Sequence, residues 1–336
     1  MDGILNVFKE EGYTSHDVVA RLRGILHQKK IGHTGTLDPA AVGVLPVCLG
    51  NATKAAGMLT DTDKTYRVVM RLGVETDTQD MTGTVRDTCE VTVSEEEIEA
   101  AVRLMEGDIY QIPPMYSAVK VNGRRLYSLA REGKEVERKP RLIHISGITI
   151  NSISLPLVDM TVNCSKGTYI RTICHDIGMK LGCKAAMEKL MRIRSGMFFY
   201  SGSFTLGQIE RAASDGSIAD MLIPVEAVFA SYPAYLCSEE KEQLLRNGGT
   251  LGIEDLTLAD DVPDPCMSAN MGLFLSADVS ADHLPGAESA GDSVTESGQH
   301  GHDMIRVKDS KGRFIAIYAF DVAKGSYKPI KMFLTS

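Results

Sequence analysis

Hydrophobic positions along the first 230 residues form short extended runs and amphipathic segments in an irregular order. Continuous or alternating apolar residues predict strands, and apolar residues three or four positions apart predict helices. The predicted strands cover residues 4–7, 44–49, 66–72, 142–150 and 157–164, and the predicted helices cover residues 17–22, 52–60, 94–105 and 167–181. Because strands and helices alternate without a βαβ repeat, we expect an α+β region built on a mixed sheet.

Local signals mark where some of these elements begin, end or pair. Ser94 with Glu97 has the spacing of a capping box, in which each side chain bonds the other residue's backbone at a helix start. Gly133 is expected to end a helix, because glycine adopts the left-handed conformation of a helix C-terminus. Residues 83–85 are expected to pair with the strand at 66–72.

The chain divides near residue 232, and its length of 336 residues is also that of two domains. We expect one domain over residues 1–232 and a second over 233–336. The second contains a predicted helix at 238–247 and a predicted hairpin over 304–318. Residues 276–303 are rich in Ser, Ala, Gly and Asp and contain no aromatic residue. Such a segment buries too little apolar surface to offset the entropy of ordering, so we expect a disordered acidic insertion there.

Charge is unevenly distributed along the chain. The net charge is −8, but residues 238–303 hold 14 acidic and 2 basic side chains, which leaves +4 on the remainder. Residues 20–72 and residues 120–141 each carry eight Lys/Arg against three Asp/Glu. Clustered basic side chains attract a phosphate backbone whatever the overall charge. On charge alone, ordinary solvated faces remain an equal alternative.

Cysteine usage and hydropathy indicate the compartment. The seven cysteines are scattered and never spaced Cys-x-x-Cys, which favours reduced thiols over a disulfide framework or a zinc site. No apolar run approaches the roughly 20 residues that span a bilayer. The first eight residues are acidic and too briefly apolar for a signal peptide. We therefore expect a cytoplasmic protein without a membrane partner.

Two Gly-framed turns present opposite charges. Asp38 precedes a proline in the turn at 32–39, and Arg171 follows Gly167 in the turn at 167–171. If the two meet, the guanidinium stabilises and orients the ionised carboxylate, which then serves as a nucleophile or base. If they do not meet, Asp38 is an ordinary turn residue that bonds its own backbone.

Other catalytic signatures are missing from the sequence. It contains no Gly-x-Ser-x-Gly, no His-Glu-x-x-His, no Walker loop and no Gly-x-Gly-x-x-Gly after a strand. This pattern favours chemistry at one carboxylate, without cofactor or metal.

Six ordered blocks within residues 3–200 resemble the TruB family of bacterial tRNA pseudouridine-55 synthases. They cover residues 32–39, 43–54, 64–67, 72–78, 112–120 and 164–171. The resemblance implies a pseudouridine-synthase catalytic domain with a mixed, mainly antiparallel sheet flanked by helices. It further implies, less strongly, a small C-terminal PUA-like β-barrel. One departure from the family is Phe8-Lys9-Glu10, where the family commonly has Asp-Lys-Pro.

The implied reaction is isomerisation of one uridine in the T-arm loop of tRNA. The bond from ribose to uracil N1 breaks, the base rotates, and C5 joins C1′. By resemblance, the basic segment 120–141 grips the T-arm, so no guide RNA is expected. No cofactor is expected either, and a monomer is the default. The roles implied for single residues are nucleophile for Asp38, its charge partner for Arg171, stacking on uracil and handling of the C5 proton for Tyr66, support of the flipped nucleotide for His33, and lining of the base pocket for Tyr169 and Leu190.

Two other functions stay open at this point. One is a catalytically silent RNA-binding or tRNA-folding protein on the same scaffold. The other is a nucleoside or nucleotide hydrolase that uses Asp38 together with Asp77 or Asp80. Turnover separates the first from an enzyme, and release of free uracil identifies the second.

Overall fold

A ten-stranded mixed sheet dominates the computed structural model, which describes residues 1–259 and 303–334. The strands are β1 Gly3–Lys9, β2 Ile31–His33, β3 Val42–Leu49, β4 Lys64–Leu72, β5 Val74–Thr76, β6 Val85–Thr88, β7 Gly107–Gln111, β8 Lys120–Val121, β9 Arg124–Arg125, β10 Arg141–Ser154, β11 Leu157–Cys164, β12 Ala185–Ser195, β13 Phe198–Phe199, β14 Leu222–Ile223, β15 Ala234–Cys237, β16 Leu256–Leu258, β17 Met304–Lys308, β18 Phe314–Asp321 and β19 Ser326–Met332. The α-helices are α1 Ser15–Ile25, α2 Ala56–Thr60, α3 Glu95–Arg103, α4 Leu126–Arg131, α5 Ile170–Leu181, α6 Leu206–Asp215 and α7 Glu242–Arg246.

The large sheet has the order β14-β1-β3-β12-β4-β11-β10-β7, with β2 paired to β3 and β13 paired to β12. Its pairings are antiparallel except between β3 and β12. This confirms the expected α+β class with a mixed, mainly antiparallel sheet. The parallel pair matters for the site, because it places the end of β12 beside the loop that leads into β3.

Helices cover the sheet in two groups, each over its own apolar cluster. Helices α3 and α5 pack on β4, β10, β11 and β12, and α1 and α6 pack on β1 and β3. Strand β11 shows why, since every second residue is buried and the intervening ones are more exposed. The alternation gives the sheet one apolar face for α5, the helix that begins with the Gly167–Arg171 turn.

The capping signal and the glycine signal are confirmed. Ser94 caps α3 in a full capping box with Glu97, and Gly133 lies in the left-handed region at φ +69° after α4. The expected pairing of residues 83–85 with 66–72 is wrong. Strand β6 pairs with β5, while β4 pairs with β11 and β12. A neighbour in sequence closes a two-stranded hairpin there, whereas the partners of β4 are far along the chain.

Residues 234–259 and 303–334 form an open five-stranded sheet of order β16-β15-β17-β18-β19. The β17–β18 hairpin is confirmed. A closed barrel is not confirmed among the described residues, because β16 and β19 remain the two ends of the sheet. The expected disordered insertion at 276–303 lies outside the described residues except for Asp303.

The two sheets share an apolar cluster. Phe333 and Ile317 of the smaller sheet are buried with Ile4 and Val44 of the larger one. The Phe333 ring lies 5.7 Å from that of Phe229 and 5.3 Å from that of Phe314. The sheets are therefore packed through a common core. Among the described residues, no helix is long and apolar enough to cross a membrane.

Candidate active site

Asp38 lies in the loop between β2 and β3, and a buried lysine holds that loop. The Lys9 ammonium donates to the backbone carbonyls of Pro39 at 3.1 Å and of Ala41 at 2.5 Å, and also to that of Glu10. Burial lowers the pKa of Lys9 to about 8, and the Asp38 carboxylate partly opposes this effect. The lysine of the segment Phe8-Lys9-Glu10 thus fixes the Asp38 loop.

Arg171 and Asp38 lie close together and form the charged pair that the two turns suggested. Its Nη2 lies 3.2 Å from Asp38 Oδ2 and donates to the Tyr116 carbonyl at 2.9 Å. Its Nη1 donates to the Thr78 carbonyl at 3.2 Å and to Asp80 Oδ2 at 3.3 Å. The Arg171 side chain is 7% exposed, whereas that of Asp38 is 42% exposed. The guanidinium is therefore held in place by buried acceptors, and the Asp38 carboxylate on its other side stays accessible.

Asp80 is the second carboxylate of this network and lies outside the cavity lining. Its carboxylate accepts hydrogen bonds from the Thr78 hydroxyl and from the Thr82 amide and hydroxyl, in addition to the ion pair with Arg171. Asp77 accepts from the Thr84 amide. Neither Asp77 nor Asp80 lines the cavity in front of Asp38.

A cavity of about 500 Å³ opens in front of Asp38. Its walls include Tyr66, Tyr169 and Leu190, the residues expected to surround a base. The backbone of Tyr169 is fixed by the side chain of Gln111, which accepts from its amide at 2.8 Å and donates to its carbonyl at 3.1 Å. The volume falls in the range of small-molecule pockets and suits one nucleotide.

Tyr66 presents its phenol to this cavity from β4. Burial raises the pKa of the phenol, and the positive charge of Arg192 acts in the opposite direction. The position combines a flat ring for stacking with a hydroxyl that is influenced by the Arg192 charge and, to a smaller extent, by the Asp38 carboxylate.

His33 lies at the base of the Asp38 loop and does not line the cavity. Its Nδ1 accepts from the Gly35 amide at 3.3 Å, and its ring meets the His16 ring edge-on at 5.2 Å. Burial, and then the neighbouring His16 charge, lower the pKa of His33. The structure thus brings five of the six predicted site residues around one cavity. His33 lies outside the cavity lining, at the base of the Asp38 loop.

Two buried cations of the cavity were not predicted from the sequence. Lys64 is 6% exposed and donates to the carbonyls of Thr60 and Thr62, and burial lowers its pKa to about 8. Arg192 is 1% exposed and donates to the carbonyls of Val44 and Gly35. The available signal was alternation, because Arg192 occupies an inward position two residues after Leu190 in a strand.

The basic segment 120–141 forms a separate projection at the edge of the large sheet. It contains the β8–β9 hairpin and α4, and Arg125 and Arg131 lie over the Tyr127 ring at 5.9 and 5.7 Å. Its base is tied to the cavity wall, since the Tyr127 amide donates to the Ser117 carbonyl at 3.1 Å. Aromatic and cationic side chains side by side are typical of RNA-binding surfaces.

Metal-binding groups are not clustered in the described part of the chain. Residues 1–259 and 303–334 contain no group of three or more His, Cys, Asp or Glu side chains placed to hold a metal ion. The six cysteines within these ranges are free thiols.

Comparison with known proteins gives a consistent family. Residues 23–170 match the model described as TruB family pseudouridylate synthase (N terminal domain), and residues 171–230 match the tRNA pseudouridylate synthase B C-terminal domain. A tRNA pseudouridine synthase B of Lachnoclostridium phytofermentans is 43% identical over 99% of this chain and 100% of that relative. One of Clostridium acetobutylicum is 47% identical over 79% of this chain and 89% of its own.

Solved structures extend the likeness at the level of the fold. An H/ACA RNP bound to a substrate RNA containing 2′-deoxyuridine has a chain with TM-score 0.67 and 22% identity, over 99% of this chain and 85% of that one. A Cbf5-Nop10-Gar1 complex gives TM-score 0.68 at 24% identity, with the same coverage. From the family models and from the identity across the whole chain, we conclude that this protein belongs to the TruB family of pseudouridylate synthases, which are isomerases.

Proposed function

We propose that this protein is a stand-alone tRNA pseudouridine synthase that converts uridine-55 in the T-arm loop of tRNA to pseudouridine. The observation that carries the proposal is the Asp38–Arg171 pair, 3.2 Å apart, at the floor of a cavity lined by Tyr66, Tyr169 and Leu190. Relatives that are 43% and 47% identical are named tRNA pseudouridine synthase B, which supports tRNA as the substrate.

In this proposal Asp38 is the nucleophile, and Arg171 orients its carboxylate towards the bound nucleotide. Arg171 has little freedom, because the Tyr116 and Thr78 carbonyls and Asp80 bind its remaining donors. A fixed carboxylate reacts without the cost of reorganisation. Attack at C1′, attack at uracil C6 and initial removal of a ribose proton all remain compatible with this placement.

The detached base has to be recaptured at C5, so water is an unwanted competitor. Glycoside hydrolases use two carboxylates and a water molecule, whereas here one carboxylate faces the cavity. Tyr66 stacks on the uracil and takes the proton from C5 after the new bond forms. No metal or cofactor enters this scheme.

Binding energy for base flipping comes from outside the cavity. Extruding a base costs a few kcal/mol, and stacking on one aromatic ring returns about 1–3 kcal/mol. The surplus is assigned to phosphate contacts of the basic projection at 120–141, without a guide RNA. Residues 1–232 act as the catalytic domain, and residues 233–336 as a PUA-like RNA-binding domain whose barrel would require residues beyond the described sheet.

Tritium release tests the function directly. An unmodified tRNA transcript with tritium at uracil C5 should release about one tritium per tRNA when the purified protein is added, because isomerisation replaces the hydrogen at C5. Chemical tagging and primer extension should then give a single stop in the T-arm loop. Binding of the same transcript without release would favour the silent RNA-binding alternative.

The nucleophile is tested by Asp38→Asn. We expect turnover to fall by at least about 10³-fold, because the amide cannot attack, while affinity for tRNA persists through phosphate contacts. Asp108→Asn, at an exposed position on the edge strand β7, is the matched control and should retain activity. Activity of Asp38→Asn above a few per cent of wild type would remove Asp38 from this role.

The hydrolase alternative requires a second catalytic carboxylate. Asp80 is engaged by Arg171, Thr78 and Thr82, and Asp77 by the Thr84 amide, so both are poorly placed for that task. Chromatography of the reaction tests it, since free uracil in place of pseudouridine would support hydrolysis.

A further inference from the structure

The least explained charge in the cavity wall is the guanidinium of Arg192. It is 1% exposed, and within residues 1–259 and 303–334 no carboxylate forms an ion pair with it. Burial lowers the pKa of two other buried cations, Lys9 and Lys64, and the Arg192 charge lowers each further. An unpaired buried charge among like charges opposes folding, so stability does not account for its position.

The backbone places Arg192 where three strands and the catalytic loop meet. It is directly opposite Tyr66 in the antiparallel β12–β4 pair and opposite Gly43 in the parallel β12–β3 pair. Gly43 has φ +109°, and a Cβ there would lie 2.2 Å from the Arg192 carbonyl oxygen. Only glycine allows the strands to approach so closely.

The Arg192 side chain then faces both the loop that carries Asp38 and the phenol of Tyr66. Its Nε donates to the Val44 carbonyl at 2.7 Å, which fixes the direction of the guanidinium. Its Nη2 donates to the Gly35 carbonyl at 3.3 Å, three residues before Asp38. The positive charge of the guanidinium also acts on the Tyr66 phenol, which lies opposite it in the β12–β4 pair.

We propose that Arg192 is a positioning residue that fixes the Asp38 loop and the Tyr66 phenol relative to each other for removal of the C5 proton. The inference rests on the proposed function, in which both side chains act on one nucleotide. In the step concerned, the C5–H bond breaks, its electron pair restores the conjugated uracil ring, and the proton passes to the phenolate oxygen. The phenol then returns this proton to water.

The charges around Tyr66 agree with this role. Burial raises the pKa of Tyr66, and Arg192 on β12 acts in the opposite direction. Cys164 on β11 and Asp38 on its loop add to the effect of burial. Loss of the Arg192 charge therefore removes the influence that favours the phenolate, and the acidic limb of the pH–rate profile should move to higher pH.

Arg192→Lys and Arg192→Gln test the proposal against Arg194→Lys. Arg194 lies on the same strand and donates to the Thr65 hydroxyl and the Gly196 carbonyl, outside the cavity. Each variant is measured in a single turnover of tRNA transcripts carrying hydrogen or deuterium at uracil C5. We expect a fall of about 10²-fold for the Arg192 variants, a larger deuterium isotope effect than in wild type, and an unchanged Kd for tRNA. Arg194→Lys should behave as wild type.

A chemical rescue separates this role from a merely structural one. A ring-fluorinated tyrosine at position 66 has a more acidic phenol, so it should restore part of the rate to Arg192→Gln and return its pH–rate profile towards wild type. Wild-type rate and isotope effect in Arg192→Gln would overturn the inference alone. A wild-type chain that releases no tritium would overturn the proposed function, and this inference with it.

Discussion

The buried cations at and beside the cavity are oriented by hydrogen bonds to backbone carbonyls. Lys9, Lys64, Arg171 and Arg192 each donate to at least two carbonyls. Carbonyl oxygens orient a cation without cancelling its charge. The cavity therefore keeps several positive charges around one carboxylate, which favours any anion that forms on the base.

The buried Lys9 gives stability a defined pH dependence. Its pKa is about 8 in the folded chain against an ordinary 10.5, so the unfolded chain binds more protons between these pH values. The free energy of unfolding contributed by Lys9 therefore rises with pH across that window. Lys9→Met lacks this contribution. The free energy of unfolding of wild type minus that of the variant should therefore increase from pH 7.5 to pH 9.5.

Urea denaturation followed by circular dichroism at these two pH values measures the difference. Other titrating groups are common to both chains and cancel. A difference that stays constant or narrows as pH rises would show that Lys9 does not titrate as a buried lysine. Activity should also fall in Lys9→Met, because the Pro39 and Ala41 carbonyls lose the donor that holds the Asp38 loop.

Sequence reasoning found the residues whose signals are local. Asp38 and Arg171 were identified from their turns, and the family resemblance supplied Tyr66, Tyr169 and Leu190. Neither Lys64, which lies inside a family motif, nor Arg192 was identified as a site residue. The burial of each depends on strands that pair across the sheet. The same reason explains the wrong partner for β4, since nothing local records pairing with residues more than 80 positions away.

At the scale of elements, the close contact between α5 and β12 sets the relative position of the cavity residues on these two elements. Helix α5 provides Arg171, and β12 provides Leu190 and Arg192. Gly178 allows the approach, because a Cβ there would lie 2.2 Å from the Ala185 backbone nitrogen. The helix and strand are thus aligned at a point far from the cavity.

Gly178→Ala and Gly24→Ala form a matched pair that tests this contact. Gly178→Ala should cost about 1–3 kcal/mol of unfolding free energy, because the backbone has to move. Gly24 lies in α1, and no atom lies within 4 Å of the point where its Cβ would be, so Gly24→Ala should add about 0.5–1 kcal/mol through helix propensity. Equal effects of the two changes in thermal or urea unfolding would contradict the close contact.

The basic projection is expected to act through unpaired cations. Lys120 and Lys139 are exposed and, within residues 1–259 and 303–334, make no side-chain hydrogen bond or ion pair, in contrast to Arg124 and Lys134, which both bind Glu132. Their free charges are available to phosphates.

Replacing Lys120 and Lys139 together by alanine should weaken tRNA binding and lower the slope of log Kd against log salt by about 1.5, which corresponds to two lost phosphate contacts. Filter binding at several salt concentrations provides the measurement, with exposed Lys180→Ala as control. An unchanged slope in the double variant would place the RNA elsewhere.

At the scale of the whole molecule, the two sheets should unfold together. Phe333 is 5% exposed and packs on Phe229 and Phe314, in a cluster that contains Ile4 and Val44 of the large sheet. Phe333→Ala should therefore cost about 3–5 kcal/mol in one cooperative transition. Two separate transitions, with only one of them shifted, would show that the sheets are independent. Circular dichroism and tyrosine fluorescence are suitable probes, as the chain has no tryptophan.

The basic projection leaves the large sheet and returns to it at one place. Strand β7 ends at Gln111 and β10 begins at Arg141, and these two residues face each other across the strands. The chain between them is therefore a loop with fixed ends, and doubling its length would cost only about 0.6 kcal/mol in closure entropy. In the proposed function, insertions and deletions within residues 120–139 would change which RNA is held, while the register of the sheet and the Tyr116 carbonyl that orients Arg171 stay the same. Site geometry and choice of substrate then depend on different stretches of the chain.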